Sequence, residues 1–468
     1  MRRVLVLIAV LTAAAGAATV AYEVIRDRDY QALLASGDAA LRGDQTFPAV
    51  EAYSGAVALR PDSMLARLRR GEAYQRRGDL DAAGRDFRAA ADLDLAATRP
   101  REELGDVLYQ LQRYQRAAEA YETALSLDDR LTRVDYKLAI ARYRAGDARS
   151  AITALARTSQ GPDATAEMHY LLGLAFRDMG RTVDAQHAFE KAIAMSPGLI
   201  AAREELAELY ASQHRRADVL DQLQVLAGLE RDRVERQIDV ALAQSSAGHT
   251  EPAVVTLGTA LERAPEDPRV YQALGLVWLQ DAETRNDRLA LNKAIEALER
   301  AGSGTSVTSE ALTLFGRALL RDGQNDRAEQ ILQAATTRYP VAPSAFFYYA
   351  AVAERQKHFD AARQALIDHA ALQGEDGDET NRATRIAALS MRLNDPASAV
   401  RWLQRVDAAG NADAKVLASL ADAQMKAGDA DAAEATVARG LELDKNNREL
   451  LTLARRVKSS RAAGASGR

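Results

Sequence analysis

Small residues recur along the chain with a period of about 34 residues, a spacing found in repeat proteins. The period is kept from Gly37 to Ala421 except for two longer steps, from Gly275 to Gly316 and from Ala350 to Ala387. The twelve residues of this series, which we call the small positions, are Gly37, Gly71, Gly105, Ala139, Gly173, Ala207, Ala241, Gly275, Gly316, Ala350, Ala387 and Ala421. A fixed period of this length predicts an array of equivalent structural units.

Two further positions repeat in phase with the small positions. A second small residue follows after twelve residues, displaced to Ala294 in the eighth repeat, and it is Ala in eleven of the twelve repeats. A large apolar residue comes four residues later, at Tyr53, Phe87, Tyr121, Leu155, Phe189, Leu223, Leu257, Leu298, Leu332, Leu366, Leu403 and Val437. Because residues four apart share one helix face, the large side chain is expected to fill the gap between neighbouring helices.

Gly and Pro divide the repeats into parts. Six repeats carry Gly near the midpoint, for example at Gly78 and Gly146, and four carry Pro near the end, for example at Pro61 and Pro197. This punctuation predicts two helices of about thirteen residues in each repeat. One helix pair cannot bury its own apolar face, so the pairs are expected to stack.

The repeat resembles the tetratricopeptide repeat, whose pattern is small, aromatic, small, aromatic, small, Pro. Two repeats match it nearly position for position, with Gly71, Tyr74, Gly78, Ala83, Phe87 and Ala90, and with Gly173, Phe176, Gly180, Ala185, Phe189, Ala192 and Pro197. Repeats six, ten and eleven depart most. They have Val219, His369 and Val406 where the second helix of the tetratricopeptide pattern has a small residue. The resemblance covers about residues 30–447. It implies an all-α fold, a right-handed superhelical solenoid of about twelve antiparallel helix pairs with a concave groove that binds partners.

The remaining segments frame this array. Residues 1–29 are expected to form a signal-anchor or signal peptide with a short linker, residues 30–447 the solenoid, and residues 448–458 a capping helix with one apolar stripe. Residues 459–468 are small, polar and basic, and are expected to be a disordered tail. Two insertions interrupt the period, one within residues 280–291 and one near residues 373–380. The second is acidic and is expected to be a solvated loop.

Residues 4–22 form an uncharged, largely apolar run behind Arg2 and Arg3. A helix of this length would extend about 29 Å, close to the thickness of a hydrocarbon core. The run predicts an anchor in the inner membrane, with a signal peptide cleaved after Ala15 or Ala17 as the alternative. The two arginines predict that the array faces the periplasm, either anchored or, after cleavage, secreted there.

Composition restricts the chemistry. The chain has no cysteine, which excludes disulfides, thiolate metal sites and a cysteine nucleophile. Its net charge of −5 argues against nucleic-acid binding by the chain as a whole. The six histidines are scattered and show no paired metal spacing, and no nucleophile or phosphate-binding motif is present. We therefore predict no catalytic, cofactor-binding or metal-binding residues and no enzymatic activity.

The resemblance implies that the first helix of each repeat lines the groove, with exposed positions three before and one, four and five after the small position. The fifth position after it is basic in seven of twelve repeats, at Arg42, Arg76, Arg144, Arg321, Arg355, Arg392 and Lys426. One interpretation is an electropositive stripe that attracts acidic peptide segments or anionic polysaccharide. The alternative is that these cations, in the last turn of each helix, stabilise the helix dipole.

Four tyrosines, Tyr109, Tyr136, Tyr143 and Tyr170, occupy groove positions in repeats three to five. Tyrosine combines a large apolar area with a polar tip and suits peptide or sugar recognition. Packing between adjacent repeats is the alternative, and the sequence does not decide between them.

These features predict a non-catalytic protein–protein interaction scaffold that organises a bacterial-type envelope assembly, such as polysaccharide export, outer-membrane biogenesis or pilus biogenesis. That pathway rests on analogy with similar anchored arrays. Two alternatives stay open: a self-associating structural coat, and a regulator that recruits an envelope enzyme.

Overall fold

A computed structural model describes residues 2–156, 158–304, 307–373 and 379–465, with side chains described from residue 11 onward except for residues 13, 373 and 461–465. These residues form 25 α-helices and one single-turn 3-10 helix, Thr158–Gln160, and they contain no strand. The predicted all-α fold is therefore confirmed.

The helices divide into two compact units, Met1–Gln222 and Leu223–Arg468. The helices of unit 1 are α1 (Arg2–Arg42), α2 (Thr46–Leu59), α3 (Met64–Arg77), α4 (Leu80–Leu93), α5 (Arg99–Gln110), α6 (Tyr114–Leu127), α7 (Thr132–Arg144), α8 (Ala148–Leu155), α9 (Ala166–Asp178), α10 (Thr182–Met195) and α11 (Ile200–Ser212). The division falls inside α12 (Arg216–Leu229).

The helices of unit 2 continue the same alternation. They are α13 (Val234–Ser246), α14 (Thr250–Arg263), α15 (Pro268–Arg285), α16 (Arg288–Ala301), α17 (Ser309–Asp322), α18 (Asn325–Ala335), α19 (Pro343–Arg355), α20 (Phe359–Gln373), α21 (Glu379–Arg392), α22 (Pro396–Ala408), α23 (Ala414–Lys426), α24 (Ala430–Leu443) and α25 (Arg448–Ala465). Within each unit the odd-numbered helix is the first helix of a repeat and the even-numbered helix is the second.

A repeat that lies within one unit is an antiparallel helix pair, because a short turn joins two helices that pack along their length. Only Gly78 and Asp79 separate α3 from α4, for example. Within a unit, successive pairs also pack on each other, through contacts such as α4 with α5, and first helices touch one another, as α15 does with α13 and α17. The predicted stack of helix pairs is thus present in both units.

The two helices of a pair are in close contact where the small position is Gly. A Cβ atom added to Gly71 would lie 2.6 Å from Cε1 of Phe87, much closer than two carbon atoms can approach without a bond. Gly37, Gly105 and Gly173 stand in the same relation to Tyr53, Tyr121 and Phe189, the large residues of their repeats. These four rings are almost completely buried. Each ring therefore occupies the volume that the absent side chain of the glycine leaves free.

The size of the small residue matches the size of the large one. Four glycines of the series face an aromatic ring and two face a leucine, whereas each alanine is followed by Leu or Val at the large position. An aromatic ring at the large position thus occurs only where the small position is Gly. A methyl group opposite such a ring would overpack the core, which is destabilising.

Every turn between the two helices of a repeat contains one residue in the left-handed region. In six repeats it is the predicted midpoint Gly, with φ between 71° and 89°. In the other six it is Asp44, Gln112, His214, Asn286, Lys357 or Asn394, with φ between 53° and 64°. The turn geometry is therefore uniform, even though an L-residue gives up about 1 kcal/mol or more to adopt it.

The first insertion lengthens a helix. The sequence places extra residues between the two helices of the eighth repeat, but α15 continues to Arg285 and only Asn286 and Asp287 separate it from α16. The Asp287 side chain caps α16 by accepting a hydrogen bond from the Leu289 amide. The acidic part of the second insertion, residues 374–378, lies outside the described residues.

The ends of the array differ in detail from the predicted boundaries. α25 continues past residue 458, where the capping helix was expected to end, to Ala465. At the other end, α1 runs through residues 4–22 into the first repeat without interruption. Among the described residues no helix is both long and apolar enough to cross a membrane. The side chains of residues 4–10 of the expected anchor lie outside the described part of the chain, so the anchor stays a prediction.

The close approach at Gly71 yields a stability prediction. Gly71→Ala should lower the free energy of unfolding by about 1–3 kcal/mol, because the new methyl group overlaps the Phe87 ring. Gly71→Ala/Phe87→Leu, which reproduces the Ala139 and Leu155 pair of the fourth repeat, should recover part of the loss. Denaturant unfolding followed by circular dichroism measures both effects.

Gly258→Ala is the matched control, since Gly258 is also helical and a Cβ there meets open space. It should leave stability unchanged or raise it by about 0.5–1 kcal/mol through helix propensity. Equal effects of Gly71→Ala and Gly258→Ala would contradict the close-approach account.

Candidate functional site

Within each unit, the first helices share one face that a partner could bind. It carries the positions three before and one, four and five after the small position, and we call it the groove face. In unit 1 it belongs to α1, α3, α5, α7, α9 and α11, and in unit 2 to α13 through α25, odd numbers only. A partner on this face would touch several repeats at once. Its charges, aromatic rings and cavity decide what such a partner can be.

The groove face of repeats three and four carries a dense ion-pair network. Glu102 on α5 accepts two hydrogen bonds from the Arg133 guanidinium, at 2.9 and 2.7 Å, and one from Lys137 Nζ at 2.8 Å. Lys137 also donates to Asp106 at 2.6 Å. Asp106 accepts a further bond from the hydroxyl of the buried Tyr121, at 2.6 Å. The network ties the second helix α6 and two consecutive first helices together.

The pKa of Glu102 reflects this network. Burial of the carboxyl group favours its neutral form, but the hydrogen bonds and positive charges of Arg133 and Lys137 outweigh that effect and lower the pKa. The carboxylate is therefore ionised across the physiological range and is already neutralised by two cations. A partner gains little from this part of the groove face unless it displaces one of them.

Repeats one to three show a looser version of this arrangement. The Tyr53 hydroxyl donates to Asp38 at 2.7 Å, and Arg69 on α3 lies 3.8 Å from Asp38 and 3.0 Å from Glu72. Glu72 in turn accepts a bond from Arg99 on α5 at 2.6 Å. A buried Tyr in the second helix thus accompanies Asp directly after the small position, at Asp38 and Asp106, whereas the repeat of Phe87 has Glu72 there.

The four predicted tyrosines all lie on the groove face of unit 1, and all are half-buried. The ring of Tyr109 stands edge-on to Tyr114 at 5.2 Å, and the ring of Tyr170 is 6.0 Å from that of Phe189. Tyr136 packs against the core shared by α7 to α10. These contacts establish packing between helices, and partner recognition by the same rings remains a prediction.

Tyr143 makes the most polar of these contacts. Its hydroxyl donates to Asp178 of the next repeat at 2.7 Å. Burial of the phenol, reinforced by the bond to this carboxylate, raises the pKa of Tyr143 to about 12. The hydroxyl is thus protonated and links two first helices of unit 1.

The predicted basic stripe has a structural role between repeats. Arg76 donates to the Leu41 carbonyl at 3.1 Å, Arg321 to the Ala282 carbonyl at 3.4 Å, and Arg355 to the Leu320 carbonyl at 3.0 Å. Each acceptor lies in the last turns of the preceding first helix, where carbonyls lack partners within the helix. These arginines therefore stabilise the helix dipole of a neighbouring repeat as well as their own.

The other members of the stripe have different surroundings. Arg392 lies 5.1 Å above the Phe359 ring, and Lys426 forms an ion pair with Asp422 at 3.0 Å. Arg42 and Arg144 are exposed at the corresponding positions of α1 and α7. The seven cations share a helix position, but the partners of their side chains differ, and partner binding by these cations stays a prediction.

A cavity of about 530 Å³ opens on the groove face of unit 2 between α21, α23 and α25. Its apolar floor consists of Ala387, Ala388, Met391, Leu403, Ala418 and Leu453. Its rim carries three cations and two carboxylates, at Lys426, Arg448, Arg456, Asp422 and Glu449. Of this set, the sequence pattern singles out only Lys426 as a binding residue.

The signal for this cavity is present in the sequence. One more step of the same period leads from Ala418 to Thr452 and from Asp422 to Arg456, so the groove positions continue into α25. The apolar stripe of residues 448–458, by contrast, predicts only a cap. The structure shows that α25 buries that stripe, with Leu450, Leu453 and Val457 in the core, and also lines the groove face.

Among the described residues, no group of three or more His, Asp or Glu side chains is placed so that it could hold a metal ion. His169 and His369 are buried in helix packing.

Comparison with known proteins identifies the repeat. Models of the tetratricopeptide repeat family match residues 102–131, 136–199, 170–218 and 313–378. These segments confirm that the chain carries tetratricopeptide repeats, as their residue pattern predicted. Proteins with this repeat bind peptides or other proteins in a groove, so the groove face is the candidate binding surface of this chain.

Two curated relatives share short segments with the chain. The Vi polysaccharide export protein VexE of Salmonella typhi is 27% identical over 161 residues, which cover 34% of this chain and 24% of that protein. The small glutamine-rich tetratricopeptide repeat-containing protein 2 of Mycosarcoma maydis is 32% identical over 96 residues, covering 20% of this chain and 27% of that protein. The chain thus spans about a quarter of the length of either relative.

Among solved structures, the tetratricopeptide repeat protein YrrB, described as having an unusual peptide-binding site, matches with a TM-score of 0.36 and 19% identity over 40% of this chain and 96% of that one. Yeast Tom70 matches with a TM-score of 0.36 and 15% identity over 94% of this chain and 97% of that one.

The Glu102 network predicts a pH-dependent effect on stability. Glu102→Gln should lower the free energy of unfolding at pH 7 by about 1–2 kcal/mol, because Arg133 and Lys137 lose their shared charged acceptor. The native pKa of Glu102 lies below its ordinary value, so the wild-type advantage exists above pH 4.5 and fades as the pH falls further.

Thermal unfolding of both proteins between pH 3 and pH 8 measures this difference. Glu119→Gln, at an exposed position of α6, is the matched control and should change little at any pH. A constant difference between wild type and Glu102→Gln down to pH 3 would contradict the network account.

Proposed function

We propose that the protein is a non-catalytic scaffold that organises a cell-envelope assembly, and that its pathway is polysaccharide export. The tandem repeats carry this proposal, because each unit presents a groove face that runs across several repeats and the sequence predicts no site of bond-making chemistry. The name of the Salmonella typhi relative supports the choice of pathway. Outer-membrane biogenesis and pilus biogenesis are less favoured, since neither curated relative points to them.

The same proposal places the array in the periplasm, held by residues 4–22 in the inner membrane. The uncharged run and the two arginines before it support this location. A helix that runs from Arg2 to Arg42 would join such an anchor directly to the first repeat. The partners would then be proteins of the envelope, bound on the groove face.

In-cell crosslinking followed by capture of the tagged full-length protein tests the scaffold. We expect one stoichiometric set of envelope proteins that includes polysaccharide-export components, and their absence from cells expressing the untagged chain. In parallel, an alkaline phosphatase fusion at residue 30 should be active, because the enzyme folds only outside the cytoplasm.

Two results would contradict the proposal. Cytosolic partners together with an inactive fusion would overturn the location. Recovery of the protein crosslinked only to itself would replace the scaffold by a self-associating coat, and light scattering would then show a mass that rises with concentration.

A further inference from the structure

We propose that the cavity between α21, α23 and α25 binds an acidic peptide segment of a partner protein, with one large apolar side chain of that segment inserted into its floor. The inference rests on the proposed scaffold function and assigns one site and one ligand chemistry to it. Three features of the cavity carry it: its unfilled space, its apolar floor and the charge of its rim.

The space exists because three consecutive groove positions are small. Thr384, Ala418 and Thr452 are each separated by one period and lie three positions before the small position or its equivalent in α25. In repeats four and five the same position holds Tyr136 and Tyr170, which fill the groove with packed rings. The three small side chains leave a space of about 530 Å³, a volume typical of ligand sites.

The floor selects an apolar group. Leu403 and Leu453 are buried, and Met391 is half-buried beside them. A large apolar side chain that covers this floor removes apolar area from water on both surfaces, which favours binding. Methionine adapts its shape to different occupants, so the floor can accept more than one kind of large side chain.

The rim selects a negative charge. Asp422 lies 3.0 Å from Lys426 and 3.2 Å from Arg456, so a single carboxylate serves two cations. Arg448 adds a third, exposed cation to the rim and Glu449 a second, exposed carboxylate, so that three cations face two carboxylates and the rim keeps a net positive charge. A carboxylate from a partner can therefore pair with a cation here without breaking an existing one-to-one ion pair. Charge-assisted hydrogen bonds to arginine would also fix its orientation.

The surrounding charge favours the same ligand. Residues 445–468 carry seven Lys or Arg and one Glu, a net charge of +6, in a chain whose total is −5. This end of the chain therefore attracts anions that the rest of the chain repels. An anionic polysaccharide would satisfy the rim but has no apolar side chain for the floor, so we favour an acidic peptide.

An array of random dodecapeptides, probed with the labelled full-length protein, tests the ligand chemistry directly. The bound peptides should be enriched in Asp and Glu next to a large apolar residue. Fluorescence anisotropy then gives the Kd of one selected peptide. Replacing its apolar residue by Ser should weaken binding about tenfold, which corresponds to about 1.4 kcal/mol.

Variants of the protein locate the site. Thr452→Tyr fills the cavity with a tyrosine ring, as Tyr170 does at the equivalent position of repeat five. It should weaken binding of the selected peptide by at least about tenfold. Arg448→Ala should weaken it and reduce its salt dependence. Arg401→Ala, at an exposed position of α22, is the control and should leave the Kd unchanged. Circular dichroism confirms that each variant is folded.

Several outcomes would overturn the site. Peptides without this composition, no bound peptides at all, or equal binding by Thr452→Tyr would each do so. Equal binding of alginate and of the Ser-substituted peptide would assign the rim to anionic polymer instead. If Thr452→Tyr still captures the envelope proteins in cells, the scaffold function stands and only this site is lost.

Discussion

The structure depends on one steric constraint, the contact between a residue too small to hold two helices apart and a side chain large enough to fill the space. A Cβ at Gly71 would intrude on the Phe87 ring, and the same relation recurs wherever the small position is Gly. This contact sets the distance between the two helices of a pair. Because each pair must also bury its outer apolar surface, the constraint propagates from repeat to repeat within a unit.

Polar contacts between repeats follow from this regular spacing. Equivalent residues of neighbouring first helices come within reach of each other, so Tyr143 meets Asp178 and Arg355 meets the Leu320 carbonyl, in each case one repeat away. Most charges of the groove face are used in this way. The cavity beside α25 is different, since small side chains replace the bulky ones and its rim carries more cations than carboxylates.

The sequence predicted the fold well because the steric constraint depends on the sizes of residues at fixed spacings, and these can be read from the sequence. The spacing of Gly, Ala and aromatic residues specified the helix pairs, and the midpoint glycines specified the turns. It did not predict that the first insertion would lengthen α15. The same number of extra residues could equally have lengthened the loop between α15 and α16, so the shift of the period does not distinguish the two outcomes. Asn286 in the left-handed conformation and Asp287 as a cap decide that outcome only in three dimensions.

The groove face was predicted less completely than the fold. Helix position identified Tyr109 and Arg321 as exposed candidates, but periodicity does not reveal that Tyr109 packs on Tyr114 or that Arg321 reaches a carbonyl of another repeat. Those contacts depend on side chains from two different helices. The cavity was not predicted for a related reason. The apolar stripe on α25 indicated only a capping helix, whereas other residues of the same helix line the groove face.

The central claim, that the paired sizes of the small and large residues determine helix packing, is tested most directly in the fourth repeat. Leu155→Phe puts an aromatic ring opposite the buried Ala139, and should lower the free energy of unfolding by about 1–3 kcal/mol. Adding Ala139→Gly should restore most of that loss, despite the lower helix propensity of Gly. If Leu155→Phe alone is harmless, or if the added Gly brings no recovery, the size-matching account is contradicted.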